Sequence, residues 1–320
     1  MVPAEGAYLD QILYATYEIW HEGLSREAYG LYYAAQRRTA WGRSHLDRVA
    51  LVDGDTLLAS AKRYRFDAML DGKPLRAIGL GAIFTQPGHR GSGAARHLVE
   101  EILAAASGEG VGLALLFSEI GPEYYARLGF TSIPTHDQQV RVAESTRHGA
   151  PMTMVRAGEE RDLADIAAMG AVRAARYRFH LDRDRDLVHY AIAKRRLLAG
   201  LGPPGVREVQ FFIAEEGASA VAYAVISAHA GEWTIEECGD RDPAGARLGA
   251  LLQVLIARDP AERRPLIRAA LPDGFMPPQV STIAKQPSPQ IMMVRALSGD
   301  ASAVLSLREE EILYWNGDRF

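Results

Sequence analysis

The residues of this 320-residue chain that point most clearly to a chemical role are 90–95, which read Arg-Gly-Ser-Gly-Ala-Ala. They follow an apolar strand pattern that ends near Thr85, and from Ala94 onward apolar residues recur at helical spacing. Gly91 and Gly93 have no Cβ, so an anion can approach the main chain closely. A helix N-terminus also offers unpaired N–H groups and the positive end of the helix dipole. The segment therefore predicts a turn that binds phosphate.

Three interpretations of this turn compete. A Walker A loop requires Gly-Lys-Ser/Thr, which is absent here, so a nucleoside triphosphate is not expected. A dinucleotide-binding turn is matched by Gly91 and Gly93, with Glu119 in the place of its ribose-binding acid, but the third glycine position holds Arg96. An ordinary glycine turn that caps a surface helix fits the segment taken alone.

Two flanking motifs favour one phosphate-binding family. The turn belongs to a longer pattern, Pro87-x-x-Arg90-x-x-Gly93-x-Ala95, and the next strand is followed by Tyr125-x-x-Leu-Gly-Phe130. This order of strand, turn, helix, strand and tyrosine motif resembles the GCN5-related N-acetyltransferase (GNAT) superfamily over about residues 45–135.

The resemblance implies a set of residues for acetyl-CoA as co-substrate, without a metal. The turn would bind the pyrophosphate, and the main chain of the preceding strand would bind the pantetheine arm and the tetrahedral oxyanion. A bulge that splits the strand at Ser118-Glu119 from that preceding strand would form the slot. The implied cofactor-binding residues are Ile83, Phe84, Thr85, Arg90, Gly91, Ser92, Gly93, Ala94, Ala95 and Ser118.

Three residues are candidates for proton transfer. By the resemblance, Tyr125 lies beside the CoA sulfur. With ordinary pKa values of about 10 for tyrosine and about 8.5 for a thiol, it works better as a hydrogen-bond donor, or with a lowered pKa, than as a free proton source. One candidate for the base is Glu119, which follows the strand that lines the slot. The other is the terminal carboxylate of Phe320, because the similar enhanced-intracellular-survival type also ends in a phenylalanine whose carboxylate acts in the active site. Alternatively, Glu119 is a solvated strand end, and residues 311–320 form a final strand with Trp315 buried.

Composition limits the kinds of partner that this protein is expected to bind. The net charge of −4 and pI near 6.2 argue against nucleic acid. Cys238 is the single cysteine, so disulfides within the chain are not expected, and it reads as a buried apolar residue. No signal peptide and no apolar stretch near 18 residues is seen. We expect a cytoplasmic protein with a small-molecule amine acceptor and with no nucleic acid or membrane partner. The sequence is compatible with a homo-oligomer.

The order of predicted elements repeats along the chain. Two helices over residues 8–38, with Ser25 as a cap, precede a hairpin at 48–53 and 56–68; helices near 159–177 and 185–199 precede strands at 207–214, 219–227 and 232–237 and a helix at 243–257. No strand is predicted in residues 1–7. The polar run 182–186 reads as a solvated turn between helices.

The repeat predicts an α/β fold of tandem GNAT-like domains, each a mixed, mostly antiparallel sheet flanked by helices. Residues 1–150 are the predicted catalytic domain. Residues 151–320 are the predicted degenerate domain, because Asp242 is placed to cap its helix, Pro243 suits the first turn, and Glu236, Glu237 and Asp240 would repel phosphate. The arrangement is similar to the enhanced-intracellular-survival type without the full length of its C-terminal domain.

The expected function is an N-acetyltransferase that moves an acetyl group from acetyl-CoA to a primary amine of a small molecule or a lysine side chain, by direct attack in a ternary complex. Two alternatives stay open: a non-catalytic CoA-binding regulatory or scaffold protein, and a dinucleotide-dependent oxidoreductase.

Overall fold

The computed structural model describes residues 1–144 and 154–320. Two mixed β-sheets carry helices on their faces, which confirms the predicted α/β class. The first half of the chain forms β1 (Val2–Pro3), α1 (Gly6–Trp20), α2 (Arg26–Arg38), α3 (Ala40–His45), β2 (Leu46–Asp53), β3 (Thr56–Leu70), β4 (Lys73–Thr85), α4 (Ala94–Gly108), β5 (Leu113–Ser118), α5 (Glu123–Ala126), β6 (Thr131–Ile133) and β7 (His136–Val142).

The second half has a similar order of elements. It forms β8 (Met154–Ala157), α6 (Leu163–Ala174), β9 (Phe179–Leu181), α7 (Arg185–Leu201), β10 (Arg207–Glu216), β11 (Ser219–His229), β12 (Glu232–Asp240), α8 (Ala246–Ile256), β13 (Leu266–Ala269), β14 (Val280–Pro287), β15 (Ile291–Ala296) and β16 (Ile312–Leu313).

The two halves exchange strands, and the first sheet also includes β9, which pairs with β3, and β16, which pairs with β9. The first sheet runs β1-β2-β3-β4-β5-β15-β6, and the second runs β8-β10-β11-β12-β13-β7-β14. In each sheet, five strands from one half are followed by a strand from the other half. Each predicted domain, 1–150 and 151–320, thus lends a strand to the other's sheet. The predicted boundary between residues 150 and 151 lies outside the described part of the chain, which omits residues 145–153.

Turn chemistry repeats as well as strand order. Asp71 (φ 50°) and Gly72 (φ 74°) join β3 to β4, and Ala230 (φ 51°) and Gly231 (φ 79°) join β11 to β12. Two successive positive φ values give a tight turn whose twist matches that of the paired strands. The same turn at the same place in both sheets supports the predicted internal repeat.

The ends of several elements differ from the sequence predictions. Val2 and Pro3 pair with β2, so a short strand is present where none was predicted. Ser25 caps α2 as predicted, accepting a hydrogen bond from the Ala28 amide at 3.2 Å. Helix α8 begins at Ala246, so the prediction of Pro243 in its first turn is wrong.

The two faces of the first sheet are covered by different helices. One apolar cluster joins α4 to Leu80 and Leu116 at the centre of the sheet. The opposite face packs Tyr64 and Phe66 against α3 and α7, which contribute Trp41 and Tyr190. Any group that passes between β4 and β5 therefore leaves the α4 side and enters the side of α2, α3 and α7.

Candidate active site

Strands β4 and β5 are paired over only part of their length. Their parallel pairing runs from the Ala77–Leu113 pair to the Leu80–Leu116 pair. Beyond these residues β4 continues to Thr85, whereas β5 stays paired with β15 up to Ser118. A slot between the two strands opens where the pairing stops.

The slot exposes main-chain groups of β4. Phe84 and Thr85 pair with β3 on one side, and within the described residues no strand pairs with them or with Ile83 on the other side. The bulge predicted to split the strand at Ser118-Glu119 from the preceding strand lies on β4, where the register against β3 shifts and Ala82 has a φ of 46°. An extra residue in one strand bends that strand, which explains why β4 turns away from β5.

The predicted phosphate turn sits at the head of α4. Gly91 and Gly93 have φ values of 80° and 85°, in the region that favours glycine. No atom lies within 4 Å of a Cβ built at either position, so the space above the turn is open. Arg90 is exposed beside it, while the Ser92 hydroxyl donates to the His89 carbonyl oxygen at 2.6 Å and closes the turn.

The amides of this turn are available to a ligand. The first hydrogen bond of α4 runs from the His97 amide to the Gly93 carbonyl oxygen, at 2.9 Å. In the described chain, the amides of Gly91, Gly93, Ala94 and Ala95 donate to no protein acceptor. Such unpaired amides at a helix N-terminus suit a diphosphate.

Tyr125 lies in the apolar cluster that joins α4 to the point where β4 and β5 separate. It is 8% exposed and packs edge-on against Phe130, with ring centroids 6.2 Å apart. Burial raises its pKa to about 12, and the neighbouring Tyr124 adds to the rise. No hydrogen-bond partner for its hydroxyl occurs among the described residues. Tyr125 is therefore a neutral donor with a free hydroxyl.

The two polar residues at the end of β5 are differently placed. Ser118 is buried and its hydroxyl donates to the Gly121 carbonyl oxygen at 2.6 Å. Glu119 is exposed and accepts a hydrogen bond from the Gln290 side-chain amide at 2.7 Å. Ser118 thus stabilises the turn that follows β5, whereas Glu119 keeps contact with solvent.

Phe320 lies on the first sheet, beside the slot. Its ring stacks on Tyr64 with centroids 4.5 Å apart and meets Phe117 edge-on at 5.5 Å. A Cβ built on Gly79 would lie 2.3 Å from the Phe320 ring, and one on Gly81 would lie 3.3 Å from its carbonyl carbon. The two glycines of β4 therefore make the space that the last residue occupies.

The family comparison agrees with this geometry. Residues 13–133 match a family model described as an acetyltransferase (GNAT) domain. We call this matched part of the chain the GNAT domain. The matched range includes the slot, the turn and Tyr125, and acyl transfer is the general class of reaction that the family implies. A search of curated proteins gave no significant match.

Solved structures share the fold of nearly the whole chain. A GCN5-related N-acetyltransferase from Kribbella flavida has a TM-score of 0.65 at 18% identity, covering 94% of this chain and 71% of its own. One from Anabaena variabilis has 0.67 at 10%, covering 93% and 72%. Eis1 from Mycobacterium abscessus has 0.58 at 14%, covering 96% and 75%. At these identities the likeness concerns the fold.

Buried ion pairs hold residues 316–320 against β12 and the chain just before α7. The Arg183 guanidinium lies between Asp318, 3.1 Å away, and Glu237, and all three side chains are at most 8% exposed. The prediction of a solvated turn at residues 182–186 is therefore wrong for Arg183, which is buried. An arginine in a run of alternating charges gives no sequence signal of this role.

A second set of contacts fixes the same segment from α7. Lys194 Nζ donates to the Arg319 carbonyl oxygen at 2.6 Å, and Arg195 pairs with Glu236 at 2.9 Å. The Arg319 side chain reaches Asp137 at 3.3 Å. Ile312 and Leu313 form a short strand and Trp315 is buried, as one of the two interpretations of this segment predicts.

The second half of the chain, which we call the second unit, has a turn like that of the GNAT domain, but amides of this turn already have an acceptor. Gly245 precedes α8 with a φ of 75°, as Gly93 precedes α4. The Asp240 carboxylate accepts hydrogen bonds from the amides of Leu248 and Asp242, each at 2.8 Å. A carboxylate of the chain itself thus fills the position that an anionic ligand would take.

This arrangement corrects the roles predicted for the acidic residues of the second turn. Asp242 accepts from the Ala244 amide at 3.0 Å rather than capping the helix. Glu236 and Glu237 face the buried ion pairs of the terminal segment. Cys238, between Asp240 and these pairs, is fully buried, and burial raises the pKa of its thiol.

Two features that bear on metals and membranes are absent from the described residues. No group of three or more His, Cys, Asp and Glu side chains is arranged to hold a metal ion. None of the helices that the structure describes has the length and apolar character needed to span a membrane.

Proposed function

We propose that the GNAT domain transfers an acetyl group from acetyl-CoA to a primary amine of a small molecule or a lysine side chain. The amine attacks the thioester directly in a ternary complex: its nitrogen forms a bond to the acetyl carbon, the carbon–sulfur bond breaks, and CoA leaves as the thiol. The second unit acts as a scaffold that closes the acceptor side of the slot, which is the side opposite to α4 where the amine would bind.

One observation supports this proposal more strongly than the others do. The free amides of Gly91, Gly93, Ala94 and Ala95 lie at the N-terminus of α4, and the slot between β4 and β5 starts on the same strand that leads into the turn. A diphosphate on the turn would direct the pantetheine arm along the main chain of Ile83, Phe84 and Thr85. Positioning of this kind supplies much of the rate in acyl transfer between bound partners.

Tyr125 would stabilise the departing sulfur by donating a hydrogen bond. With its pKa raised to about 12, complete proton transfer to a thiolate whose thiol has a pKa of about 8.5 is uphill by about 5 kcal/mol. A neutral donor aimed at developing negative charge avoids that cost. The thiolate then takes a proton from solvent or from the base that has accepted the proton of the amine.

The base is proposed to be the main-chain end at Phe320 rather than Glu119. Where the polypeptide ends at Phe320, its α-carboxylate lies beside Gly81 on β4, on the side of the slot opposite to α4. Glu119 is exposed and held by Gln290. A carboxylate at the mouth of the slot is better placed to take the proton of the attacking amine.

The direct test is release of free thiol when the protein is incubated with acetyl-CoA and a panel of primary amines. Thiol released in step with acetylated amine supports the proposal. CoA binding without thiol release with any amine would instead indicate a regulatory protein that binds CoA. Absence of CoA binding would remove the basis for both.

A further inference from the structure

The face of the first sheet that carries Phe320 also holds cations without partners. Arg48 on β2 is 3% exposed, and none of its guanidinium nitrogens has a hydrogen-bond partner in the described chain. Lys62 is its direct neighbour on β3. Both cations lie over the ring of Tyr33 on α2, with the Arg48 Cζ at 5.1 Å and the Lys62 Nζ at 5.6 Å from the centroid.

Other polar groups at the same place are also unsatisfied. The Tyr33 hydroxyl, the Arg37 Nε and the Ser60 hydroxyl are buried without a partner among the described residues. Ser60 lies two residues before Lys62 on β3 and so shares its face of the sheet. We call the set formed by Tyr33, Arg37, Arg48, Ser60 and Lys62 the Tyr33 cluster. Buried donors without acceptors are costly, and so many together are unusual in a native protein.

Nearby carboxylates do not balance this charge. Asp47 is bound by Arg63 and Arg65, each at 2.8 Å. The ion pairs around the terminal segment are balanced among themselves, with three cations facing three carboxylates; the members are Arg183, Lys194, Arg195, Glu236, Glu237 and Asp318. Burial, with Arg48 and Lys194 nearby, lowers the pKa of Lys62 to about 7. A single terminal carboxylate at Phe320 would neutralise only one of the two guanidinium groups, those of Arg37 and Arg48.

The Tyr33 cluster adjoins the acceptor side of the slot. Lys62 pairs with Gly81 across β3 and β4, and the carbonyl carbon of Phe320 lies 3.3 Å from the Cβ position of that glycine. The cluster is therefore one strand away from the place where the acetyl group would be delivered. Lys62 is only partly buried and gives the cluster a connection to solvent.

We propose that the Tyr33 cluster binds an oxyanion, a carboxylate or a phosphate, carried by the acceptor, so that the acceptor is an amine with an acidic group. Its assignment to the acceptor rests on the proposed acetyl transfer. The anion would accept hydrogen bonds from the guanidinium of Arg48, the ammonium of Lys62 and the hydroxyl of Tyr33. Charged and bidentate hydrogen bonds of this type are strong and orient the bound group.

The binding step can be tested without any reaction. Glutarate and inorganic phosphate are titrated separately by calorimetry into the intact protein and into Lys62→Met and Arg48→Met variants. We expect at least one anion to bind, with affinity falling more than tenfold in both variants. Lys73→Met, which removes one exposed charge from the same sheet, should bind as the unmodified protein does. Equal binding in Lys62→Met, the variant least able to disturb folding, overturns the proposal.

The role in acceptor choice is tested by pairs of amines that differ only in the acid. Thiol release is measured for β-alanine against ethylamine and for phosphoethanolamine against ethanolamine, which separates carboxylate from phosphate recognition. We expect KM to be at least tenfold lower for the acidic member of one pair and the preference to vanish in Lys62→Met, with the KM for acetyl-CoA unchanged.

The two proposals fail in different ways. Thiol release with all four amines at equal KM, together with no binding of either anion, overturns the anion site and leaves the acetyl transfer standing. Anion binding that depends on Lys62, without thiol release from any amine, overturns the acetyl transfer and leaves the anion site standing.

Discussion

Tyr125 is the side chain whose chemistry depends most on its burial. Sequence reasoning left open a lowered pKa or a role as a neutral donor; burial raises the pKa to about 12, which supports the second. We predict that Tyr125→Phe lowers the turnover rate more than tenfold, because a donor to the departing sulfur is lost, while the affinity for acetyl-CoA changes less than threefold. Single-turnover kinetics and calorimetry measure the two quantities.

The same residue sets a pH expectation. A tyrosine with a pKa near 12 stays protonated through the range in which the protein is studied, so its ionisation contributes no alkaline loss of rate below about pH 10. The pH–rate profiles of the unmodified protein and Tyr125→Phe should therefore differ in height and agree in shape. A profile whose alkaline limb disappears in the variant contradicts this role.

Phe320 and Glu119 are separated by a pair of variants. Adding one alanine after Phe320 moves the α-carboxylate away from Gly81, and we expect the turnover rate to fall more than tenfold. Glu119→Gln keeps the hydrogen-bonding capacity toward Gln290 and should retain at least a third of the rate. The reverse result assigns the base to Glu119.

At the turn before α4, charge can be separated from backbone strain. Gly93 has a φ of 85°, so any side chain there is strained, but Asn and Asp are nearly the same size. A carboxylate about 4 Å from a phosphate charge costs on the order of 4 kcal/mol at an effective dielectric near 20. We predict that Gly93→Asp abolishes CoA binding measured by calorimetry, whereas Gly93→Asn binds at least tenfold more tightly than Gly93→Asp. Equal affinities would show that the diphosphate lies elsewhere.

The turn before α8 gives an internal comparison for this argument. Asp240 shows that the fold accepts a carboxylate against the amides of such a turn, provided that the carboxylate belongs to the chain. The sequence indicated an acidic substitute for the ligand, but it pointed to Asp242. Only the path of the loop decides which of two acids, two residues apart, reaches the helix N-terminus.

For the molecule as a whole, the terminal segment links the second unit to the GNAT domain. Arg183 lies between Asp318 and Glu237 with 8% of its side chain exposed. Removing one member of a buried ion pair leaves the others uncompensated, and we predict that Arg183→Met lowers the free energy of unfolding by about 3–5 kcal/mol. Denaturant titration measures the loss.

The matched control is two residues away. Arg185 pairs with Glu160 at the surface, with side-chain exposures of 53% and 73%, so Arg185→Met should change the free energy of unfolding by less than about 1 kcal/mol. If Arg183→Met is as stable as Arg185→Met, the buried ion pairs do not hold the terminal segment in place.

Local patterns in the sequence predicted the local structure well. Residue types over a few positions were enough to predict the Ser25 cap, most strands of the two sheets and the glycine turn at residues 91–95. The exchange of β7 and β15 could not be predicted, because pairing between distant strands leaves no local periodicity. The Tyr33 cluster was missed for the same reason: Arg48 and Lys62 become neighbours only when β2 pairs with β3.

The proposed acetyl transfer depends most on where the diphosphate of CoA binds. A crystal structure of the protein with acetyl-CoA measures this directly. We predict that phosphate oxygens lie about 2.7–3.2 Å from the amides of residues 91–95, with the thioester between β4 and β5 and its sulfur beside Tyr125. An empty turn in that crystal, with the diphosphate bound elsewhere or the sulfur facing away from Tyr125, would contradict the account.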